Sequence, residues 1–130
     1  MPGPRVCVVL RAGNDRLTIE SVVLGILEHT RDVYVVDDGS TDGTPEIVAR
    51  LPHVRKVGHT SPRGRGAALA SGLAAAFKDG FTHAVSMDAN GQRSADDLPT
   101  LLQAVFETPD ALIVGTRRLP EEGARRNRGI

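Results

Sequence analysis

The stretch Val33-Tyr34-Val35-Val36-Asp37-Asp38-Gly39-Ser40-Thr41-Asp42-Gly43-Thr44 changes character halfway along its length. A β-branched run ends in two carboxylates, and a Gly-Ser-Thr-Asp-Gly turn follows. Thr44-Pro45-Glu46 then reads as a helix start, with Thr44 as N-cap and Pro45 at the first helical position. This is the pattern of a buried parallel strand that delivers acidic groups to the carboxyl edge of a sheet, where open α/β folds bind ligands. Adjacent carboxylates are costly to hold together unless a base, a ribose, a metal or a cation uses them. An acidic, solvated turn would account for Asp37-Asp38 alone, but not for the whole string.

Working outward, apolar runs at Val6–Leu10, Val54–Val57, Ala84–Met87 and Leu112–Val114 read as further strands. Helical periods lie between most of them. Ile19, Val22, Val23, Ile26 and Leu27 repeat at three and four. Ile47, Val48 and Leu51 form a short stripe. Leu69, Leu73 and Phe77 mark an alanine-rich helix whose small residues should permit close helix–sheet packing. Ser94-Ala95-Asp96-Asp97 resembles a capping box, and Leu98, Leu101, Leu102 and Val105 form the stripe that follows it. The alternation predicts one α/β domain over residues 1–130: a mostly parallel, Rossmann-like sheet with helices on both faces. The expected strand order is three, two, one, four, then Leu112–Val114.

The totals narrow the function classes. Sixteen basic and sixteen acidic residues cancel, so no bulk charge argues for nucleic acid. One tyrosine and three phenylalanines leave little for base stacking. Arg117, Arg118, Arg125, Arg126 and Arg128 crowd residues 117–130 and would suit phosphates or anionic head groups; a solvated tail is the alternative. The lone Cys7 sits in an apolar run and reads as a core residue. No run has transmembrane length, and the N-terminus lacks a signal-peptide pattern. A reducing cytoplasm, with peripheral contact at the membrane, is the expectation.

Polar clusters follow three strands: Arg11-Ala12-Gly13-Asn14-Asp15, Asp37-Asp38, and Asp88-Ala89-Asn90-Gly91-Gln92. Parallel strands bring these ends to one edge. Asp88, Asn90 and Gln92 alternate and could aim oxygen ligands at a hard cation, either Mg²⁺ or Mn²⁺, on a substrate diphosphate. Arg63-Gly64-Arg65-Gly66 stands before the alanine-rich helix, where glycines let backbone amides approach a phosphate. His29, His53, His59 and His83 show no metal-ligand spacing and read as surface or strand-end residues.

These motifs resemble the family 2 glycosyltransferases of the GT-A fold, and within them the polyprenyl-phosphate sugar synthases. Val35–Thr44 is similar to that family's Val-Val-Asp-Asp-Gly-Ser-Thr-Asp-Gly-Thr. Arg63–Leu69 resembles its Arg-Gly-Lys-Gly-Ala-Ala-Leu, Met87–Gln92 its Met-Asp-Ala-Asp-Gly-Gln, and Val114–Arg117 its Val-Gly-Ser-Arg. Two departures stand out. Arg11-Ala12-Gly13-Asn14-Asp15 replaces the family's Pro-x-Tyr-Asn-Glu, and Asn90 replaces the second acid of the metal motif. The resemblance implies nucleotide-sugar binding by Asn14, Asp15, Asp37, Asp38, Arg63 and Arg117, with the divalent metal on Asp88, Asn90 and Gln92. It implies transfer of a sugar from a nucleoside diphosphate to an acceptor such as a polyprenyl phosphate, with no catalytic base identified. A nucleotide-sugar-binding or interaction module without transfer is the alternative. A phospho-receiver domain is disfavoured because no lysine follows Lys78. Residues 1–130 correspond to the nucleotide-sugar half of such enzymes, so an uncovered apolar edge should drive formation of a homo-oligomer.

Overall fold

A computed structural model of the chain describes residues 4–89 and 98–107. Strands and helices alternate: β1 (Val6–Ala12), α1 (Ile19–Leu27), β2 (Val33–Asp38), α2 (Thr44–Ala49), β3 (Val54–His59), α3 (Arg65–Lys78), β4 (His83–Asp88) and α4 (Leu98–Glu107). The sheet has the order β3-β2-β1-β4, and every pairing is parallel. The expected α/β architecture and the order of these four strands are therefore observed. Leu112–Val114 and the capping-box residues 94–97 lie outside the described residues.

The strands run further than their apolar residues suggest. Ala12 still pairs with Asp37, and Asp38 with His59. The ladder of a neighbouring strand holds these polar residues extended, so Arg11, Asp37, Asp38, His59 and Asp88 are strand residues and take their facing from strand alternation.

One face carries α1, α2 and α4. Val8 and Leu10 of β1, Val33 and Val35 of β2, and Val85 and Met87 of β4 meet Ile19, Val23 and Ile26 of α1, Val48 of α2 and Leu98 of α4. Each such aliphatic side chain removed from water contributes roughly 1.5–3 kcal/mol. The other face carries α3 over Cys7, Val9, Tyr34 and Val36. Here contact is made by Ala68, Gly72 and Ala76, spaced at four. A Cβ on Gly72 would stand 2.4 Å from Val9 Cγ1 and 2.9 Å from Val36 Cγ2. The small residues thus allow the close packing expected of them, while Leu69, Leu73 and Phe77 turn outward, Phe77 being 80% exposed.

The start of α2 differs by one residue from expectation. The N-cap is Gly43, at φ 95°, and Thr44 is the first helical residue. The Thr44 hydroxyl instead donates to Asp42 Oδ1 at 2.5 Å and accepts from Asp15 N–H at 3.1 Å, tying two loops together.

Candidate functional site

The chain winds β1-α1-β2-α2-β3 to one side, then returns through α3 to place β4 on the other side of β1. β1 and β4 therefore flank the topological switch point, the crevice where doubly wound sheets hold ligands. Arg11 and Asp88 are register partners at its rim.

Asp37 and Asp38 are not a paired acid. Strand alternation sends them to opposite faces, and each is 4% exposed. Asp37 Oδ1 accepts from the Ser40 hydroxyl at 2.5 Å. Asp38 turns to the α3 side. Its Oδ1 accepts from Arg63 N–H at 2.9 Å and lies 2.8 Å from His59 Nδ1; its Oδ2 accepts from Gly64 N–H at 2.9 Å. Burial pushes the Asp38 carboxyl up. The His59 hydrogen bond and the two backbone N–H groups outweigh that and hold it below the ordinary value. His59 Nε2 in turn lies 2.8 Å from Ser71 Oγ on α3. A carboxylate only accepts, so Nδ1 donates to Asp38 and the imidazole bridges β2 to α3. The bridge fixes the turn that leads into α3. Gly64, at φ 99°, opens that helix without a side-chain cap, so no N-cap side chain serves its first N–H groups.

The loop after β1 is latched to the loop after β2. Asn14, at φ 57°, accepts through Oδ1 from Thr41 N–H at 2.8 Å and donates its own N–H to Ser40 Oγ at 2.8 Å. Asp15 Oδ2 accepts from Gly13 N–H at 2.8 Å. Arg16 N–H donates to Asp42 Oδ2 at 3.1 Å. The Asp42 carboxyl lies below its ordinary value, chiefly through the Thr44 hydroxyl bond. Gly39, at φ 74°, packs so closely on the Ser61–Pro62 backbone that a Cβ would stand 2.4 Å from Pro62 N. The three loops at the carboxyl edge thus form one connected rim.

At the switch point, Arg65 Nη2 stands 3.4 Å from Asp88 Oδ2. Arg11 emerges between Asp38 and Asp88 on the same face. Its Nε–H is buried and finds no acceptor among the described residues, an omission that costs about 1–3 kcal/mol. A carboxylate and two amide oxygens are hard donors of the kind Mg²⁺ and Mn²⁺ take. The Asp88, Asn90, Gln92 set therefore fits such an ion by its chemistry, with Asp88 as the anionic member. Asn90, Gln92 and Arg117 lie outside the described residues.

The structure brings Asn14, Asp15, Asp37, Asp38, Asp88 and the Arg63 backbone to one edge. Sequence reasoning passed over Ser71, and named Arg65 and Arg11 only within their clusters; His59, read as a surface or strand-end residue, does end β3, but its side chain is buried against Asp38 and Ser71. His59 had a legible signal, since it ends the strand beside the one that carries Asp38. Ser71 had none.

The glycosyl transferase family 2 profile matches residues 7–129. The chain is 33% identical over 127 residues to a polyprenol monophosphomannose synthase of Mycolicibacterium smegmatis, covering 92% of this chain and 47% of the relative. It is 29% identical over 129 residues to a UDP-N-acetylglucosamine–dolichyl-phosphate N-acetylglucosaminyltransferase of Methanococcus voltae, covering 86% and 51%. An undecaprenyl-phosphate mannosyltransferase of Micrococcus luteus is 40% identical over 93 residues, covering 68% and 37%. The chain spans about half the length of the first two relatives, and less of the third. Parallel sheet, acidic strand ends and profile agree: the chain belongs to glycosyl transferase family 2.

Proposed function

We propose that this chain supplies the nucleoside-diphosphate-sugar site of a glycosyltransferase that passes the sugar, with inversion, to a polyprenyl phosphate. One observation carries the reading. Asp88, Arg65 and the open start of α3 meet at the switch point of a sheet whose family match runs through residues 7–129. In this reading Asp37, Asn14 and Asp15 line the base and ribose side, and Arg63 and Arg117 serve the base or phosphates. Asp38 acts through the turn it holds. The metal, Mg²⁺ or Mn²⁺, sits on Asp88, Asn90 and Gln92 and neutralises the leaving diphosphate. A lipid-phosphate acceptor is already anionic, which lessens the need for a strong general base. No helix among the described residues is long and apolar enough to cross a membrane. We place the chain in the cytoplasm, peripheral to the membrane through its arginine-rich residues 117–128. We also infer a homo-oligomer, because Leu73, Phe77, Phe81 and Ala84 line an open apolar groove beside β4. Light scattering across a concentration series tests it, and a strict monomer rules it out.

Asn90 favours a second reading, a binding module without transfer, because the triplet carries a single charge. One sample separates the two. Thermal-shift screening of UDP- and GDP-sugars with and without Mn²⁺ should show ligand stabilisation, and radiolabelled sugar should appear on a short polyprenyl phosphate. Stabilisation without product supports the module. No stabilisation by any nucleotide sugar defeats both.

A further inference from the structure

We propose that Arg11 is a phosphate-binding residue of the donor site, supplying to the diphosphate a fixed guanidinium that does not depend on the metal. The assignment of its ligand as a nucleoside diphosphate rests on the glycosyltransferase reading above; the geometry of Arg11 does not. The side chain leaves β1 on the α3 face, in the alternation of Cys7 and Val9. It is opposite Val36 on one side and Asp88 on the other. Its guanidinium folds toward the carboxyl edge and lies over Gly13, where a Cβ would stand 3.3 Å from Nη2. Gly13 thereby gives the guanidinium its room. Nε–H is buried without an acceptor among the described residues, whereas the large majority of buried side-chain donors have one. A guanidinium placed at a ligand crevice with a donor left over is matched to an acceptor from outside. Its planar fork suits phosphoryl oxygens, which take two parallel N–H bonds.

Position selects the diphosphate as the source of those oxygens. Arg11 shares the rim with Asp88 and with Arg65, which reaches Asp88 at 3.4 Å, and the uncapped start of α3 faces the same crevice. Arg11 and Arg65 thus bring two guanidinium groups to an edge where Asp38 is already engaged by His59 and by the Arg63 and Gly64 N–H groups.

Calorimetric titration of the chain with UDP, GDP and inorganic pyrophosphate, each with Mn²⁺ and with excess EDTA, tests the proposal against Arg11→Met and Arg11→Lys. Arg11→Met keeps the apolar stem and removes the fork. Free of ligand, it should melt at or above the parent temperature, because it deletes a buried donor that has no partner. Its affinity for each diphosphate should fall at least about tenfold, in EDTA as with Mn²⁺. Arg11→Lys should lose less, keeping the charge without the fork. Uridine, guanosine and citronellyl phosphate should bind parent and variants alike. Equal diphosphate affinity in parent and Arg11→Met overturns the proposal. So does an equal loss for the nucleosides, which would make Arg11 a reader of the base. A loss confined to citronellyl phosphate would move it to the acceptor and overturns the proposal too. If Arg11→Met fails to fold, the selective loss must be seen in Arg11→Lys, and its absence there is decisive against the proposal. A parent that binds pyrophosphate through Arg11 but neither nucleotide would uphold Arg11 and defeat the glycosyltransferase reading.

Discussion

The two faces of the sheet are built on different terms. Under α1, α2 and α4 the sheet meets large aliphatic side chains, with Leu10, Ile19, Ile26 and Leu98 all fully buried. Under α3 it meets Ala68, Gly72 and Ala76, and the polar groups Asp38, His59 and Ser71 close the upper end. The first face is sealed by volume. The second is sealed by close approach and by hydrogen bonds, and it carries the groups assigned to phosphate. A helix held near the sheet keeps its N-terminal amides near the strand ends, which is what an anion site needs. The groups assigned to phosphate thus gather on the α3 face, while Asp37, assigned to the base and ribose side, turns to the other.

Substitutions should expose this difference. Leu10→Ala empties the aliphatic face and should cost about 2–5 kcal/mol in urea unfolding. Gly72→Ala should cost about 1–3 kcal/mol through overpacking against Val9 and Val36, although alanine is the better helix former by about 1 kcal/mol. A gain in stability at Gly72 would mean that α3 stands further from the sheet. Asp38→Ala leaves the Arg63 and Gly64 N–H groups without their acceptor. It should cost about 1–3 kcal/mol, and nucleoside-diphosphate affinity should fall with it because the turn loosens.

Acid and alkali should both act on the α3 face. The folded-state carboxyl of Asp38 lies below its unfolded value. Its contribution is therefore present above about pH 4 and is lost as pH falls through the lowered folded value. Burial, with help from Asp32, pushes the Cys7 thiol from 9.0 up to about 11. That contribution is complete below pH 9.0 and is lost as pH rises through about 11. Thermal melts of Cys7→Ala should lose the alkaline slope assigned to Cys7 and keep the acid one. The smallest effect belongs to the outer side of α3. Phe77→Ser should change monomer stability by no more than about 0.5 kcal/mol, while weakening any self-association seen by light scattering. A large destabilisation there would show that Phe77 is covered within the chain.

Much of this was legible in residue order. The β-branched runs and the helical periods between them specify a parallel sheet, and the acids that end β2 and β4 belong at its carboxyl edge. Residue order also marked α3, through Leu69, Leu73 and Phe77, as an alanine-rich helix whose small residues permit close approach to the sheet; that Ala68, Gly72 and Ala76 make the contact came from the structure. Local signals reach only as far as a strand, a turn or a helix, and these features are all local. Other features needed the assembled sheet. Asp37 and Asp38 are neighbours in the chain but lie on opposite faces, since strand alternation overrides sequence proximity once the ladder extends through Asp38. His59 finds Asp38 and Ser71 across 21 and 12 residues, a meeting set by register and by the height of α3 above the sheet. Arg65 reaches Asp88, and Arg11 keeps an unsatisfied Nε–H beside them, only because β4 returns to the far side of β1. Sequence alone determined which chemistry gathers at the edge. The tertiary structure decided which groups are already partnered there and which remain for a ligand, because hydrogen-bond partners are fixed by packing between elements and not by position along the chain.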